Sequence, residues 1–379
     1  MLYQLPLAPQ YGQMSDEQLC AGIRDFKAQL GRRLVILGHH YQQDDVIRFA
    51  DFTGDSLKLS MLAAEQTEAE FIVFCGVHFM AESADILTSD RQKVILPDLS
   101  AGCSMADMAH IDQVEASWPA LEEAAGMPIT PITYVNSSAA VKAFVGRKDG
   151  ACCTSSNAKL VMEWALHGAT PDGAAGDGHK VMFLPDQHLG RNTAYALGWP
   201  LESMALYDPR LPDGGLSPEQ IRDARVILWK GHCSVHQLYN TKQIAAIRSL
   251  PEPYQIIVHP ECAWEVCQHA DLVGSTEYII KTVKAAPSGS YWAIGTEVHL
   301  ISRLAKQCPD KHVRSLATIQ CLCTTMYRID LKHLYWTLEN LVEGRVVNQI
   351  SVDAETRHWA RVALDRMLAL RPTQPVSAK

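Results

Sequence analysis

Side chains that can hold a metal ion or move a proton are concentrated in Trp229–His236, which reads Trp-Lys-Gly-His-Cys-Ser-Val-His. Cys233 in this stretch has two counterparts, Cys103 and Cys323, each also placed shortly after an apolar run. Three thiolates can hold a zinc ion with one open position, or an iron–sulfur cluster in which one iron lacks a protein ligand. We therefore predict that Cys103, Cys233 and Cys323 bind one metal centre.

The alternative is that these three cysteines are small buried apolar side chains, a common role for cysteine. Their spacing shows neither the local CxxC pairs of zinc sites nor the compact cysteine runs of ferredoxins. Their settings favour the metal interpretation, because each follows a run that reads as a strand. Four other cysteines are interpreted as structural, namely Cys152, Cys153, Cys262 and Cys267.

The elements that would position the cysteines are short apolar runs alternating with helical patterns, which predicts a parallel α/β architecture. In such folds ligand sites lie beyond the carboxyl ends of the strands. The runs end at glycine, hydroxyl, histidine, asparagine and glutamate residues, and three groups of runs each finish at a cysteine. This indicates three related lobes around a shared centre. Ser15–Leu30 is predicted as a capped helix, and Thr337–Leu370 as helical with little interruption.

Composition excludes several classes of function. The chain has 379 residues, 47% of them apolar, and a net charge of -8 without a long basic run, which argues against nucleic-acid binding. No run approaches the roughly 18 apolar residues of a membrane helix, and the first residues do not resemble a signal peptide. Eleven cysteines in such a chain are expected to be thiols or ligands in a reducing compartment, the cytoplasm.

The short motifs of this chain are specific to one protein family only as a set. Between about residues 35 and 330 the chain carries GHHYQ (38–42), GDSL (54–57), GVHFMAESA (76–84), YVN (134–136), TSSNA (154–158), PDQHLGR (185–191), GHCSVH (231–236), HPEC (259–262), GST (274–276), GTE (295–297) and Cys323-x-x-Met326. In type and order these motifs resemble the quinolinate synthase family.

The resemblance implies a transferase of NAD (pyridine nucleotide) biosynthesis that condenses iminoaspartate with dihydroxyacetone phosphate to quinolinate, releasing phosphate and water. It implies a [4Fe-4S] cluster with one open iron that acts as a Lewis acid. The enzyme that makes iminoaspartate is a candidate partner. The implied fold is three pseudo-symmetric three-layer α/β/α lobes around the cluster, and the oligomeric state is left open. We expect the lobes at 1–116 (completed by 301–379), 117–212 and 213–300.

The resemblance also assigns roles, residue by residue. The cluster ligands are Cys103, Cys233 and Cys323. The expected catalytic residues are Glu261, Tyr41 and His236. The expected substrate-binding residues are His39, Ser56, Tyr134, Asn136, Ser155, Ser156, His259, Ser275 and Thr276.

Residue chemistry gives further expectations for these side chains. Glu261 in a partly desolvated site should have a raised pKa, which suits a general acid or base. The histidines could bind a carboxylate when protonated or relay protons. Hydroxyls such as those of Ser275 and Thr276 suit anion binding at helix N-termini, although helix capping is the simpler role.

Three alternatives stay open at this stage. Cys321 lies close enough to Cys323 to compete as a ligand, and the Met326 spacing favours Cys323. Another metalloenzyme, such as a hydro-lyase or a zinc hydrolase, could use the same centre. A non-catalytic iron–sulfur sensor or electron carrier would need no substrate pocket, so the polar strand ends argue against it.

Overall fold

A computed structural model describes residues 3–167, 178–319 and 321–370. The sequence also predicts a surface loop in the stretch 172–178, which is rich in glycine, alanine and aspartate, and a frayed tail at 371–379; apart from Gly178, both lie outside these residues. In the described part of the chain, no helix combines the length and the apolar character needed to cross a membrane.

The described residues form fourteen strands and seventeen α-helices. The strands are β1 (Leu34–His39), β2 (Phe52–Gly54), β3 (Phe71–Cys75), β4 (Lys93–Ile95), β5 (Ile129–Tyr134), β6 (Ala151–Cys153), β7 (Lys180–Leu184), β8 (Met204–Tyr207), β9 (Val226–Trp229), β10 (Gln255–Val258), β11 (Leu272–Val273), β12 (Tyr291–Gly295), β13 (His312–Ser315) and β14 (Gln349–Ile350). The helices are α1 (Pro9–Gln13), α2 (Asp16–Leu30), α3 (Asp44–Ile47), α4 (Ser56–Glu65), α5 (His78–Leu87), α6 (Ser104–Asp107), α7 (Ile111–Ala125), α8 (Ala139–Arg147), α9 (Ala158–Leu166), α10 (Gln187–Ala196), α11 (Pro218–Asp223), α12 (Thr241–Arg248), α13 (Trp264–His269), α14 (Thr276–Ala285), α15 (Val298–Gln307), α16 (Leu331–Val342) and α17 (Ala354–Ala369).

The chain divides into two compact units. The first unit comprises Met1–Cys103, Glu297–Gln307 and Gln320–Asp353. Its sheet has the order β14-β4-β3-β1-β2, with parallel pairing except where β14 runs antiparallel to β4. Every residue of β1 and β3 is buried, which is typical of parallel strands covered on both faces.

The second unit comprises Ser104–Thr296, Cys308–Ile319 and Ala354–Lys379. It holds two sheets with the orders β6-β5-β7-β9-β8 and β11-β10-β12-β13, and all their pairs are parallel. Three helix-flanked sheets, parallel throughout except at β14, confirm the predicted α/β class with its three lobes. The residue boundaries expected for the lobes stay a prediction.

Local sequence explains the first long helix, α2. The Ser15 side chain accepts the Gln18 N–H, and the Gln18 side chain accepts the Ser15 N–H, which completes the expected capping box. Gly31 follows at φ 53°, a conformation that favours glycine, and ends the helix. The predicted Ser15–Leu30 helix is therefore confirmed.

The prediction of an almost uninterrupted helical stretch over Thr337–Leu370 is wrong. α16 ends before Gly344, which has φ 78°. The chain then forms β14, whose Gln349 and Ile350 pair with Ile95 and Val94 of β4. A two-residue strand is too short to show an alternating pattern, so the sequence carried no strand signal there.

Gly146 permits the close approach of α8 and α17. A Cβ at Gly146 would overlap the carbonyl oxygen of Trp359. We expect Gly146→Ala to lower the free energy of unfolding by about 1–3 kcal/mol, because backbone must move to admit the methyl group. Gly12 has open space around it, so Gly12→Ala is the matched control. Equal effects of both variants in urea denaturation would contradict this packing argument.

Candidate functional site

In the first unit, His39, Tyr41 and Ser56 lie near the carboxyl edge of the sheet. His39 ends β1 and is paired in register with Gly54 of β2, after which Ser56 begins α4. The His39 Nδ1 accepts the Tyr41 backbone N–H at 3.1 Å, and the two rings meet edge to face with centroids 4.8 Å apart. The structure therefore brings His39 and Tyr41 of the first motif into contact and places Ser56 at the same edge of the sheet, and their roles toward a substrate stay predictions.

The loop of Cys323, also in the first unit, is held by Glu297, whose side chain is fully buried. Its Oε1 accepts the Cys323 backbone N–H at 3.4 Å and the His299 Nδ1–H at 2.9 Å. Its Oε2 accepts the backbone N–H groups of His299 and Leu300 at 2.7 and 3.4 Å. The last residue of the GTE motif therefore fixes a cysteine loop, a role that sequence reasoning missed.

Asp98 links the loops of Cys103 and Cys323, the two predicted cysteine ligands that lie in the first unit. One carboxyl oxygen accepts the Ser100 N–H at 2.7 Å, in the loop that leads to Cys103. The other accepts the Arg328 Nε–H at 3.2 Å, in the 3-10 turn that follows Cys323. Asp98 is buried, whereas 49% of the Arg328 side chain is exposed, so this ion pair lies at the protein surface and is partly screened by solvent.

In the second unit, Glu261 is the centre of a buried hydrogen-bond network. Its Oε2 lies 2.8 Å from the Nδ1 of His236, which follows β9 and the Cys233 loop. The other ring nitrogen, Nε2, lies 3.1 Å from the Thr296 hydroxyl after β12. The Tyr134 hydroxyl at the end of β5 also donates to Glu261. Strand ends of two sheets within this unit therefore converge on one carboxyl group.

The expectation that Glu261 has a raised pKa is wrong. Burial alone would raise the pKa of Glu261, but the charges of His236 and His259 and the hydrogen bonds from His236 and Tyr134 outweigh burial and lower it to about 2. Glu261 is therefore a carboxylate at neutral pH, and it accepts hydrogen bonds rather than donating a proton.

His259 is a neutral imidazole beside this carboxylate. Burial lowers its pKa to about 3, because it disfavours the charged ring more than Glu261 favours it. Its Nδ1 accepts the backbone N–H of Glu261 at 3.3 Å, which leaves Nε2 with the proton. The ring stacks on His236 with centroids 4.6 Å apart. His259 is therefore an N–H donor rather than a cation at neutral pH, and its role in substrate binding stays a prediction.

Asp186 is a second buried carboxyl group that sequence reasoning left without a role. Burial first, and the charge of Glu261 second, raise its pKa well above the ordinary range. One oxygen accepts the Leu189 N–H at 2.7 Å and caps α10, whereas Oδ2 has no hydrogen-bond partner among the described residues. Its backbone bridges Gly231, two residues before Cys233. Asp186 is therefore protonated more readily than an ordinary aspartate, and it lies beside the carboxylate of Glu261.

The predicted hydroxyl and amide residues lie at strand ends of the second unit. Asn136 and Ser155 are half-buried, and Ser156 is exposed. The Ser275 hydroxyl accepts the Tyr278 N–H at 3.4 Å and caps α14, so the simpler capping role applies to it. Thr276 is buried in the first turn of the same helix. Their roles toward a substrate stay predictions.

Accessibility separates three cysteines from the other eight, and all eleven lie in the described part of the chain. Cys103, Cys233 and Cys323 are partly exposed, whereas the others are buried. Cys321, the competing ligand, has no exposed surface. Three partly exposed cysteines on loops could serve as the donor set of a thiolate-bound metal or cluster.

The fold and these groups of residues define a class: an α/β protein with partly exposed cysteines on loops after its strands and a buried network of carboxyl, imidazole and hydroxyl groups. Residues 21–369 match the family model described as quinolinate synthetase A protein. A quinolinate synthase of Acidobacterium capsulatum is 56% identical over 365 residues, 95% of both chains. One of a Nocardioides species is 57% identical over 359 residues, 94% of this chain and 90% of the relative. The chain belongs to the quinolinate synthase family, which confirms the resemblance and the prediction of an enzyme.

Glu297 gives a test of how the Cys323 loop is held. In Glu297→Gln an NH₂ group replaces one of the two carboxylate oxygens. At least one of the four N–H groups therefore loses its acceptor. We expect the free energy of unfolding to fall by about 1–3 kcal/mol. Glu252→Gln, at an exposed position, is the matched control and should stay within about 0.5 kcal/mol. An unchanged urea midpoint for Glu297→Gln would show that the loop does not depend on this carboxyl group.

Proposed function

We propose that this protein is a quinolinate synthase of NAD biosynthesis, which condenses iminoaspartate with dihydroxyacetone phosphate and releases phosphate and water. The family match over residues 21–369 supports this reaction. The structural observation that carries it is that Cys103, Cys233 and Cys323 are partly exposed, whereas the other eight cysteines are buried.

The three accessible cysteines are the proposed ligands of a [4Fe-4S] cluster. Such a cluster, when bound with one iron free of protein ligands, supplies a Lewis acid for the loss of hydroxyl groups. Glu297 and Asp98 hold the loops of Cys323 and Cys103, and therefore prepare two of the ligands for binding.

Proton movement is assigned to the second unit. Glu261 stays ionised, accepts hydrogen bonds from His236 and Tyr134, and keeps the imidazole of His236 oriented. His236 can accept a proton from substrate and stabilise the resulting charge against Glu261, the role of an oriented general base. Neutral His259 donates its Nε2–H, which suits a substrate carbonyl or carboxylate oxygen.

Substrate binding is assigned to strand-end groups in both units. In the first unit these are His39, Tyr41 and Ser56, with Tyr41 as a further proton donor or acceptor. In the second unit they are Tyr134, Asn136, Ser155, Ser156, His259, Ser275 and Thr276. Hydroxyl and amide donors at helix N-termini suit the carboxylates and the phosphate of the two substrates.

The polar network disfavours a pure electron carrier, since a carrier needs no buried acid–base groups beside its cluster. The cysteine-rich composition suits a reducing compartment, and we place the enzyme in the cytoplasm. The enzyme that supplies iminoaspartate is a candidate partner, because imines hydrolyse in water.

An anaerobic assay with matched cysteine variants tests the function. The wild type should be brown, hold about four irons per chain and form quinolinate from the two substrates. Cys103→Ala, Cys233→Ala and Cys323→Ala should each lose iron and activity together. Cys308→Ala, a buried cysteine outside the motifs, is the control and should keep both.

Two outcomes would overturn the proposal. Full activity in a metal-free preparation would exclude a catalytic cluster. An iron-loaded protein that forms no quinolinate and shows no spectral change with quinolinate would favour a sensor or carrier.

A further inference from the structure

The side chains of Cys233, His236 and Glu261 form a compact group of mixed ligands inside the second unit. One potential ligand atom from each lies within 4.8 Å of the other two. His236 and Glu261 are almost fully buried, and Cys233 is partly exposed. The group differs from the three-cysteine set, with which it shares only Cys233.

We propose that these three side chains bind one Zn²⁺ ion when no cluster is present. Sulfur, imidazole nitrogen and carboxylate oxygen are the common zinc ligands, and three protein ligands leave a fourth position for water. Zinc–ligand bonds of about 2.0–2.3 Å in a tetrahedral site place ligand atoms about 3.3–3.6 Å apart. Side-chain movements of about 1 Å therefore bring the three ligand atoms to these separations around an ion.

The surroundings of His236 suit a zinc ligand once the ring proton, which Nδ1 donates to Glu261 before the ion binds, lies on Nε2 instead. Its Nδ1 faces the Glu261 Oε2 at 2.8 Å, so this nitrogen is the one that turns to the metal. Its Nε2 faces the Thr296 hydroxyl at 3.1 Å, and an Nε2–H can donate there. Metal-bound histidines commonly donate their second N–H in this way, which fixes the tautomer.

Glu261 and Cys233 supply the two negative charges that balance the charge of Zn²⁺. The lowered pKa of Glu261 keeps it ionised, and Tyr134 donates to it as an outer partner. On binding, the Cys233 thiol releases its proton to solvent and ligates as thiolate, and the ring proton of His236 moves from Nδ1 to Nε2, where the Thr296 hydroxyl can accept it. Partial exposure of Cys233 leaves an entry path for the ion.

Zinc and the proposed cluster exclude one another, because both need Cys233. Zinc-loaded protein should therefore resist cluster reconstitution until a chelator removes the ion. The zinc site uses neither Cys103 nor Cys323, and this difference separates the two kinds of centre experimentally.

The experiment uses the full chain as the double variant Cys103→Ser/Cys323→Ser, titrated with Zn²⁺ against a chromophoric chelator. We expect one Zn²⁺ per chain with the affinity of the cluster-free wild type. In the same background, His236→Asn or Glu261→Gln should weaken binding at least 10-fold, and Thr296→Val about 10- to 100-fold. The exposed His269→Asn is the matched control and should change nothing.

Loss of zinc binding in the double variant, or undiminished binding in His236→Asn, would overturn the proposal. Circular dichroism checks the fold of each variant. If His236→Asn does not fold, the Co²⁺ spectrum of the double variant decides: a thiolate charge-transfer band supports the site, and its absence overturns it. Failure of the proposed function would instead appear as absent iron or activity in the wild type, with this titration unaffected.

Discussion

The hydrogen bond between Glu261 and His236 is the interaction on which the second unit's site depends. Both side chains are almost fully buried, where an isolated charge is expensive. Removing one member of such a buried pair costs about 3–5 kcal/mol, because the other is left uncompensated. Thr296 and Tyr134 occupy further hydrogen-bonding positions of the pair, so its geometry is fixed from several strand ends. A site built this way needs little rearrangement when a substrate or an ion enters.

Carboxyl groups organise the first unit in a different manner. Glu297 and Asp98 accept backbone N–H groups from the loops that carry Cys323 and Cys103. Loops that follow parallel strands have few backbone partners of their own, and a buried carboxyl group provides several acceptor positions at once. The cysteine loops therefore acquire defined shapes from the protein alone.

Sequence patterns predicted the features that depend on neighbouring residues. The Ser15 capping box, the buried strands and the polar residues at their ends could all be predicted, because each follows from local spacing. The ionisation of Glu261 could not, because it depends on His236, 25 residues away, and on Tyr134 in another strand. Asp186 and Glu297 stood in quoted motifs, but only their burial and contacts reveal what they do. β14 was missed because two residues are too few to show a period.

The placement of the last described segments has a consequence for how the chain matures during synthesis. β14 completes the first unit's sheet, and α17 packs against α8 in the second unit. Domains commonly fold as units while the ribosome is still extending the chain. Here neither unit has all its elements before residues beyond 350 have left the ribosome. For most of its translation, the nascent protein therefore exposes the faces that β14 and α17 later cover. Chaperones have access to both units during this period.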